Sequence, residues 1–383
     1  MTTDASLPHH PVAVIGAGLG GLTLARVLQV HGIETAVFDL DASPRARVQG
    51  GMLDIHEDSG QVALRAAGLH AEFLNRVHTG GQAVRVMGRD GVVRLDEPDD
   101  GSGERPEIDR GVLRGLLLGS LPDGTVRWGA RATGFRALGD GRHKVTLADG
   151  GAFTTDLLVG ADGAWSRVRA LLSDARPAYT GVSFVEADFP DADTRHPVPA
   201  SVVGGGMLFA LGPGRGFLAH REPDGSLHVY AAVVAPEDWL DGIDFSDSEA
   251  ARSAVLKEFG GWDDRLRTLI ADADGTLIPR RIHALPVGHR WDRVPGVTLL
   301  GDAAHLMSPF AGEGANLALL DGAELALAVV AHPGDTETAL AAYEEKLFPR
   351  SGTSAGESAR NGELMFRADA PQGLLDMFTG HED

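Results

Sequence analysis

The 383-residue chain has no cysteine and far fewer basic than acidic residues. Without cysteine there can be no disulfide scaffold, no thiolate metal site and no cysteine nucleophile. Its 34 Lys and Arg against 54 Asp and Glu give a formal net charge of −20, whereas a protein that binds duplex nucleic acid needs a basic surface. We therefore expect no nucleic-acid partner.

Long apolar runs are missing as well. No stretch reaches the ~18 uninterrupted apolar residues of a transmembrane helix, and residues 1–11 lack the basic start and the apolar run of a signal peptide. We therefore predict a cytoplasmic protein with no membrane partner, and we predict a monomer. The sequence shows no cluster of metal-ligating residues, so no metal is expected.

Glycine, in contrast, is abundant, with 51 residues, and it marks a junction near the start of the chain. The apolar run 12–15 is followed by Gly16, Gly18 and Gly21 in G-x-G-x-x-G spacing, then by an amphipathic stretch and a second strand-like run, 33–38. This order predicts a βαβ unit. Gly16 would permit a tight turn, Gly18 would let the backbone approach a pyrophosphate, and Gly21 would let the helix pack on the strand.

Asp39 follows the second strand-like run, about twenty residues after the glycines, where a carboxylate accepts hydrogen bonds from ribose hydroxyls. Ala17 lies between the first two glycines and belongs to the predicted phosphate-binding loop. Strand, helix and acidic residue together favour dinucleotide binding. A glycine-rich turn of another α/β domain and a methyltransferase loop are the alternatives that this segment alone leaves open.

Two later motifs narrow the choice of nucleotide. Residues 156–169 contain Asp162 in the pattern D-G-x-x-S-x-x-R directly after an apolar run, and residues 301–316 contain Gly301-Asp302 before a proline–glycine loop that opens a helix. Both segments resemble the fingerprints of the single-component flavin-dependent aromatic hydroxylases. The resemblance implies that FAD is the cofactor, that Asp162 contributes to its site and that Asp302 binds its ribityl chain.

The same resemblance implies that the loop before this last helix lies under the pyrimidine edge of the flavin. A reduced flavin carries negative charge there, and backbone N–H groups at a helix N-terminus stabilise such charge. The expected flavin contacts in this loop are Pro309, Gly312, Glu313, Gly314 and Ala315.

A closer resemblance, to the tetracycline-inactivating flavin monooxygenases, extends over nearly the whole chain. The similar segments are 50–61 (GGMLDIHEDSGQ), 106–113 (PEIDRGVL), 262–270 (WDDRLRTLI), 301–316 and 343–366. The resemblance implies an α/β protein with a Rossmann-like FAD-binding domain, an inserted antiparallel-sheet substrate domain and a C-terminal bridging helix. Alternating runs at 201–211, 216–221 and 227–234 also predict the antiparallel sheet.

We divide the chain accordingly. The predicted FAD-binding domain comprises 1–72, 96–170 and 278–333, the substrate-binding domain comprises 73–95 and 171–277, and the C-terminal helix and tail comprise 334–383.

Carried over position by position, the resemblance implies that Leu53, Asp54 and Arg110 contact FAD and that Arg47 lies near the entry of NADPH. Arg47 is also compatible with a solvated surface arginine, the commoner case for a lone arginine, and Arg110 with a simple extension of the helix that Asp109 caps. Because a guanidinium suits the 2′-phosphate of NADPH, we expect NADPH rather than NADH as the electron donor.

For the substrate domain, the resemblance aligns His228 with a substrate-contacting histidine, and a solvent-facing strand histidine is the alternative. Ser201 and Gly206 stand where the family carries a polar amide and an arginine. Together with Met207, they predict a roomier and less polar pocket. The expected substrate is tetracycline-like or another extended polyphenol.

The function implied by the resemblance is a monooxygenase reaction that consumes NAD(P)H and O2 through a flavin C4a-hydroperoxide and hydroxylates an electron-rich carbon of a polycyclic or phenolic substrate. Acting on tetracycline, it would be an antibiotic-resistance enzyme. No side chain is predicted as a catalytic acid or base, and His305 is interpreted as structural. A flavoprotein reductase or oxidase, and a non-catalytic flavoprotein that sequesters a polyketide, remain as alternatives.

Overall fold

The computed structural model of the chain describes residues 7–46, 51–78, 82–99 and 105–380. The contacts between residues divide the chain into two units, each assembled from three segments. Unit 1 consists of Met1–Val77, Ile108–Ala178 and Ala284–Ser358, and unit 2 consists of His78–Glu107, Tyr179–His283 and Ala359–Asp383.

The strands of the described residues are, in chain order, β1 His9–Ile15, β2 Thr35–Phe38, β3 Met52–Asp54, β4 Val84–Gly88, β5 Val93–Glu97, β6 Glu107–Asp109, β7 Val126–Arg127, β8 Ala132–Gly139, β9 Arg142–Leu147, β10 Ala152–Gly160, β11 Ala178–Phe189, β12 Met207–Gly212, β13 Arg215–Arg221, β14 Leu227–Val234, β15 Asp274–Ala284 and β16 Val297–Leu299. The helices are α1 Leu19–Val30, α2 Gly60–Ala66, α3 His70–Leu74, α4 Arg110–Gly119, α5 Ala192–Arg195, α6 Pro197–Val203, α7 Ser248–Glu258, α8 Asp264–Ala271, α9 Asp302–His305, α10 Gly314–Ala331, α11 Thr336–Phe366 and α12 Gln372–Thr379.

The main sheet of unit 1 has the order β7-β2-β1-β10-β9-β8, and β16 also pairs with β10. Strand β1 runs parallel to β2 and β10, and β16 runs parallel to β10, whereas β9 and β8 are antiparallel additions. Parallel strands are covered by helices on both faces, which explains the unbroken burial of residues 12–15 in β1. The predicted α/β class is confirmed.

Helices α1 and α10 of unit 1 pack closely because each has a glycine at the contact. A Cβ on Gly20 would lie 2.6 Å from the backbone oxygen of Ala318, and a Cβ on Gly322 would collide with the backbone oxygen of Gly20. Among the described residues, α10 is the helix long and apolar enough to cross a membrane, but half of it is buried inside the structure. This burial is typical of a core helix.

The large sheet of unit 2 has the order β15-β11-β14-β13-β12-β4-β5. Strands β11, β14, β13 and β12 pair antiparallel, and β4 joins β12 in parallel. Along β14, Leu227, Val229 and Ala231 point into a core that is completed by helices α6, α7 and α8. His228 and Tyr230 alternate with them and occupy the opposite face. The predicted inserted antiparallel sheet is therefore present.

The prediction of a strand over 201–211 is wrong for its first part. Residues 197–203 form α6, which starts with Pro197, a residue whose fixed φ suits the first helical position. The helix ends at Gly204, whose φ is +83°, and the strand begins only at Met207. Ser201 therefore lies on a helix.

The unit bounds also differ from the predicted domain bounds, for reasons visible in the packing. Phe73 is fully buried in the core of unit 1, and β5, which the predicted boundary at residue 96 would cut, pairs with β4 in unit 2. Likewise β15 continues to Ala284, past the predicted boundary at 278. Helix α11 begins at Thr336; its residues through Ser358 belong to unit 1 and the following ones to unit 2.

Candidate cofactor-binding site

The turn after β1 is tight at two of its glycines and open at the third. Gly16 has a φ of +113°, and a Cβ there would collide with the backbone oxygen of Ala161. A Cβ on Gly21 would collide with the backbone oxygen of Gly16, so the helix can approach the turn only without a side chain. Nothing lies within 4 Å of a Cβ on Gly18, which caps the N-terminus of α1. The open space thus lies at the helix end that favours a phosphate.

Asp39 braces this turn from the end of the neighbouring strand. It is 6% exposed, and its Oδ2 accepts a hydrogen bond from Ala17 N at 2.7 Å while its Oδ1 accepts one from Asp41 N at 2.8 Å. Each carboxylate oxygen has a second lone pair. Asp39 can therefore hold the loop and still accept hydrogen bonds from the hydroxyls of a bound ribose.

A cavity of about 610 Å³ in unit 1 brings the predicted loop together with predicted acidic residues from two later motifs. The predicted site residues that line it are Gly16, Ala17, Gly18, Asp39, Asp162 and Asp302. Arg131 and Arg167 line it too, and guanidinium groups suit a pyrophosphate. Sequence analysis missed both arginines because neither occupies a defining motif position. The volume is typical of a small-molecule site.

The Asp162 motif forms a turn that is stabilised by hydrogen bonds between its own residues. Asp162 Oδ1 accepts a hydrogen bond from Ser166 Oγ at 2.5 Å, and its Oδ2 accepts one from Arg167 N at 2.7 Å. The buried Arg169 donates to the backbone oxygen of Ala303 at 3.0 Å. The aspartate, serine and arginine of the motif therefore hold the cavity wall in place and tie it to the segment that carries Asp302.

Asp302 begins the short helix α9 after Gly301, which has a φ of +58°. The side chain is open to the cavity, yet the surrounding protein desolvates the carboxyl group and raises its pKa, against the opposing charges of His305 and Arg110. A carboxylate on a cavity wall can accept hydrogen bonds from donors on a ligand. The polyol chain of a flavin offers such donors.

A charged network lies buried next to this turn. His305 Nε2 is 2.6 Å from Asp321 Oδ2, and Arg350 donates to Asp321 Oδ1 at 2.9 Å. Burial works against the charged forms of both, yet each charge stabilises the other, so the pKa of His305 is raised and that of Asp321 is lowered. His305 has its partner inside the protein and does not line the cavity.

The loop before α10 exposes backbone of the kind that a flavin ring requires. Pro309 starts a short 3₁₀ turn, and Gly312 follows with a φ of +70°. A Cβ on Gly312 or Gly314 would meet no atom within 4 Å. Since α10 begins at Gly314, the N–H groups of Gly314 and Ala315 belong to the first turn, which lacks intrahelical acceptors. Glu313 precedes them as the N-cap residue.

His56 joins two of the predicted FAD-contacting segments. Its Nε2 lies 2.9 Å from Asp54 Oδ2, and its Nδ1 lies 3.2 Å from Glu313 Oε1. Hydrogen bonds to these two carboxylates raise the pKa of His56 to about 9, although burial opposes the charged form. Sequence analysis quoted the motif that contains His56 but did not single the residue out, because its partner Glu313 is distant in the chain.

The remaining predicted FAD contacts are placed as follows. Leu53 is half-buried on β3 and packs against the core of unit 1. Arg110 is the first residue of α4, which Asp109 caps by accepting a hydrogen bond from Val112 N at 2.8 Å. Arg47 lies outside the described residues.

In unit 2 the structure brings together some of the predicted substrate residues. His228 Nδ1 lies 2.6 Å from Asp188 Oδ1, and this carboxylate raises the pKa of His228 although burial opposes the charged form. His220, in register with both His228 and Met207, shares their face of the sheet. Ser201 is not among them, because α6 packs on the other face.

Two further features of this unit concern the predicted substrate residues. Gly206 lies just before β12, and its backbone oxygen accepts a hydrogen bond from Arg221 N at 3.1 Å. His220, which sequence analysis missed, lies 3.4 Å from Glu107 and 3.8 Å from Glu222. Burial opposes its charged form, but the two carboxylates raise its pKa to about 9.

Comparison with known proteins places this geometry in context. A family model described as an FAD binding domain matches residues 9–353. Monooxygenase penA of Penicillium thymicola is 31% identical over 398 residues, covering 89% of this chain and 91% of that protein. The 3-amino-4-hydroxybenzoate 2-monooxygenase PtnB3 of Streptomyces platensis is 31% identical over 389 residues, covering 96% of this chain and 91% of that protein.

Solved structures share the fold over nearly the whole chain. HpxO of Klebsiella pneumoniae, complexed with FAD and uric acid, has a TM-score of 0.79 at 20% identity and covers 99% of this chain and 93% of its own. The tetracycline destructase Tet(51) has a TM-score of 0.70 at 20% identity and covers 98% of this chain and 96% of its own. At these identities the likeness is one of fold.

Proposed function

Because the chain belongs to the FAD binding domain family and to the FAD-dependent monooxygenases within it, we propose that it hydroxylates a polycyclic or phenolic substrate at the expense of NADPH and O2. The observation that carries the proposal is the cavity of unit 1, whose wall joins the glycine turn to Asp39, Asp162 and Asp302. Two relatives that cover 89% and 96% of this chain are named as monooxygenases.

The residues present suit FAD from one end to the other. The open backbone at Gly18 would hold the pyrophosphate, with Arg131 and Arg167 beside it. Asp39 would bind the adenosine ribose and Asp302 the ribityl chain. The loop from Gly312 would direct backbone N–H groups at the pyrimidine edge. When bound, FAD supplies the hydride acceptor and the O2 chemistry, while the protein binds it, orients it and excludes water.

We propose a substrate with an acidic hydroxyl group, such as a phenol or the enol system of a tetracycline. The support in this chain is the sheet face of unit 2 that carries His228 and His220, both held towards the cationic form by carboxylates. Because Nδ1 of His228 faces Asp188, the protonated ring can donate a hydrogen bond from Nε2 to an ionised hydroxyl group of such a substrate. PtnB3 is named for its action on a hydroxybenzoate, and Tet(51) is named as a tetracycline destructase, which supports both substrate types as first candidates.

We propose NADPH as the donor because Arg47 and the exposed Arg45 follow the first βα unit in the sequence of a chain that is otherwise acidic. The enzyme would act as a cytoplasmic monomer, and hydroxylation of tetracycline would make it an antibiotic-resistance determinant. Replacing both arginines by Ala should raise the KM for NADPH while leaving that for NADH unchanged.

The deciding experiment is the visible spectrum of the purified protein, followed by NADPH oxidation under air with and without tetracycline. Flavin bands, substrate-stimulated oxidation and a product heavier by one oxygen atom would support the whole proposal. Flavin bands with oxidation that ignores every phenol and polyketide tested would favour a reductase or oxidase instead. Tight substrate binding without turnover would favour a sequestering flavoprotein. A colourless protein that cannot be loaded with FAD would overturn the proposal.

A further inference from the structure

We infer that His56 is a positioning residue for the flavin, a cation held between Asp54 and Glu313 that fixes the two predicted FAD-contacting segments against each other. The inference rests on the proposed placement of FAD at these segments. It goes beyond the predicted contacts because it assigns the coupling between them to one side chain.

The imidazole ring of His56 has a carboxylate on each side. Asp54 Oδ2 lies 2.9 Å from Nε2 and Glu313 Oε1 lies 3.2 Å from Nδ1, so both ring nitrogens face a carboxylate. A neutral imidazole has a proton on only one nitrogen and can donate to only one of them. Only the protonated ring satisfies both carboxylates at once. His56 is 9% exposed, so water does not readily replace either contact.

The backbone on either side of the ring is fixed by Asn316, which is 1% exposed. His56 N donates to Asn316 Oδ1 at 3.0 Å, and Asn316 Nδ2 donates to the backbone oxygen of Asp54 at 2.9 Å. A Cβ on Gly60 would collide with Asn316 Oδ1, so the chain at Gly60 packs directly against α10. The hydrogen bonds of the Asn316 side-chain amide do not change with pH. Between neutral and alkaline pH, the imidazole is therefore the part of this contact that titrates.

The charges around His56 explain why a cation is needed there. Asp54 faces it from β3 and Glu313 from the N-cap of α10, while α2 contributes the neutral Gln61, which donates to the backbone oxygen of Ile55 at 2.9 Å. Without the imidazolium, Asp54 and Glu313 would each lose the contact with His56, at the place where the proposed flavin edge develops negative charge. Like charges disfavour each other in a desolvated site.

Two acidic residues on the same loop have other partners. Glu57 pairs with Arg65 at 3.8 Å, and Asp58 accepts a hydrogen bond from Ser59 Oγ at 3.2 Å.

The direction of the pH effect follows from the raised pKa of His56, about 9 against an ordinary 6.5. Below about pH 9 the protonated ring can donate to both carboxylates, and above it the neutral ring can donate to only one of them. FAD affinity should therefore be flat near neutral pH and should fall as the pH passes about 9.

The test is a titration of the apoprotein with FAD, in which the change in flavin fluorescence reports binding. It is repeated at several values between about pH 7 and about pH 10. The variants are His56→Gln, Glu313→Gln and the double variant, with the exposed His31→Gln as the matched control. We expect the Kd of the wild type and of His31→Gln to rise about tenfold across this range, a loss of one charge interaction. His56→Gln should bind about tenfold more weakly at neutral pH and should lack that rise. Ionisation of free FAD affects all variants alike, so His56→Gln provides the baseline.

The double variant distinguishes the loss of the His56 charge from the loss of its packing. If His56 neutralises Glu313, removing both charges should recover most of the lost affinity, so the two substitutions will not be additive. Glu313→Gln alone should shift the pH midpoint of FAD binding downwards, and this variant keeps the test available should His56→Gln fail to fold. A pH profile of His56→Gln parallel to that of the wild type, an additive double variant or an unmoved midpoint would overturn the inference. If the wild type itself binds no FAD, it is the proposed function that fails.

Discussion

His305 Nε2 lies 2.6 Å from Asp321 Oδ2, with the histidine 4% exposed and the aspartate fully buried. The same carboxylate oxygen accepts a hydrogen bond from Gly301 N at 2.9 Å, and the other oxygen accepts one from Arg350. Asp321 thus fixes the backbone from which Asp302 enters the cavity. The GD motif depends on a carboxylate that lies in α10, outside the motif.

Asp321→Asn should therefore destabilise unit 1 strongly. The amide keeps the size of the side chain but leaves the buried His305 and the partly exposed Arg350 without their shared counter-charge. Breaking a buried ion pair costs about 3–5 kcal/mol, and urea unfolding should show a loss of that order together with loss of FAD. Glu324→Gln, which removes the more exposed partner of Arg350, is the control and should cost about 1 kcal/mol or less. Equal losses for the two variants would contradict the central role of Asp321.

The glycine turn offers a matched pair of substitutions with opposite outcomes. Gly16→Ala meets both a positive φ and a collision with the backbone oxygen of Ala161, so we expect a loss of at least about 2 kcal/mol of stability. Gly18→Ala has ordinary φ and free space around its Cβ, so the apoprotein should melt at the wild-type temperature. The added methyl group would instead occupy the space proposed for the pyrophosphate. Thermal melts and FAD titrations measure both effects, and wild-type FAD affinity in Gly18→Ala would refute that placement.

Asp302→Ala should release flavin without unfolding the protein, since its side chain faces the cavity rather than the core. The measurement is the ratio of flavin to protein absorbance after gel filtration, which should fall by about tenfold or more for the loss of a charge-assisted hydrogen bond. Asp123→Asn, on an exposed turn of the same unit, serves as the control. A variant that stays as yellow as the wild type would show that Asp302 does not bind the flavin.

Whether a structural feature can be predicted from the sequence depends on how far apart its interacting residues lie along the chain. The βαβ unit and the cap at Asp109 are correctly predicted because each is decided within a few residues, by spacing or by a side chain reaching Val112 N. The contacts of His56 with Glu313 and of Asp321 with Gly301 join distant segments and have no local signal. Knowing the fold is a precondition for seeing them.

The error at 201–206 has a local cause. The β-branched pair Val202 and Val203 favours a strand there, but the proline at the helix start and the glycine run that follows favour a short helix and then a break. Ser201 consequently moves away from the sheet face that carries His228. Ser201→Ala should accordingly leave the KM for any substrate unchanged, a result that sequence analysis alone would not expect.

Substrate binding at His228 should depend on pH. Asp188 raises the pKa of His228, although burial opposes the charged form. Its cationic form should therefore be complete below the ordinary pKa of histidine and should disappear as the pH rises through the raised value. The KM for a phenolic substrate should rise over that interval in the wild type. His228→Gln should raise KM by about tenfold near neutral pH, the scale of one charge-assisted hydrogen bond, and should remove this titration while leaving the Kd for FAD unchanged. Asp188→Asn should shift the titration to lower pH. An unchanged KM profile in both variants would assign His228 to the support of the sheet rather than to substrate binding.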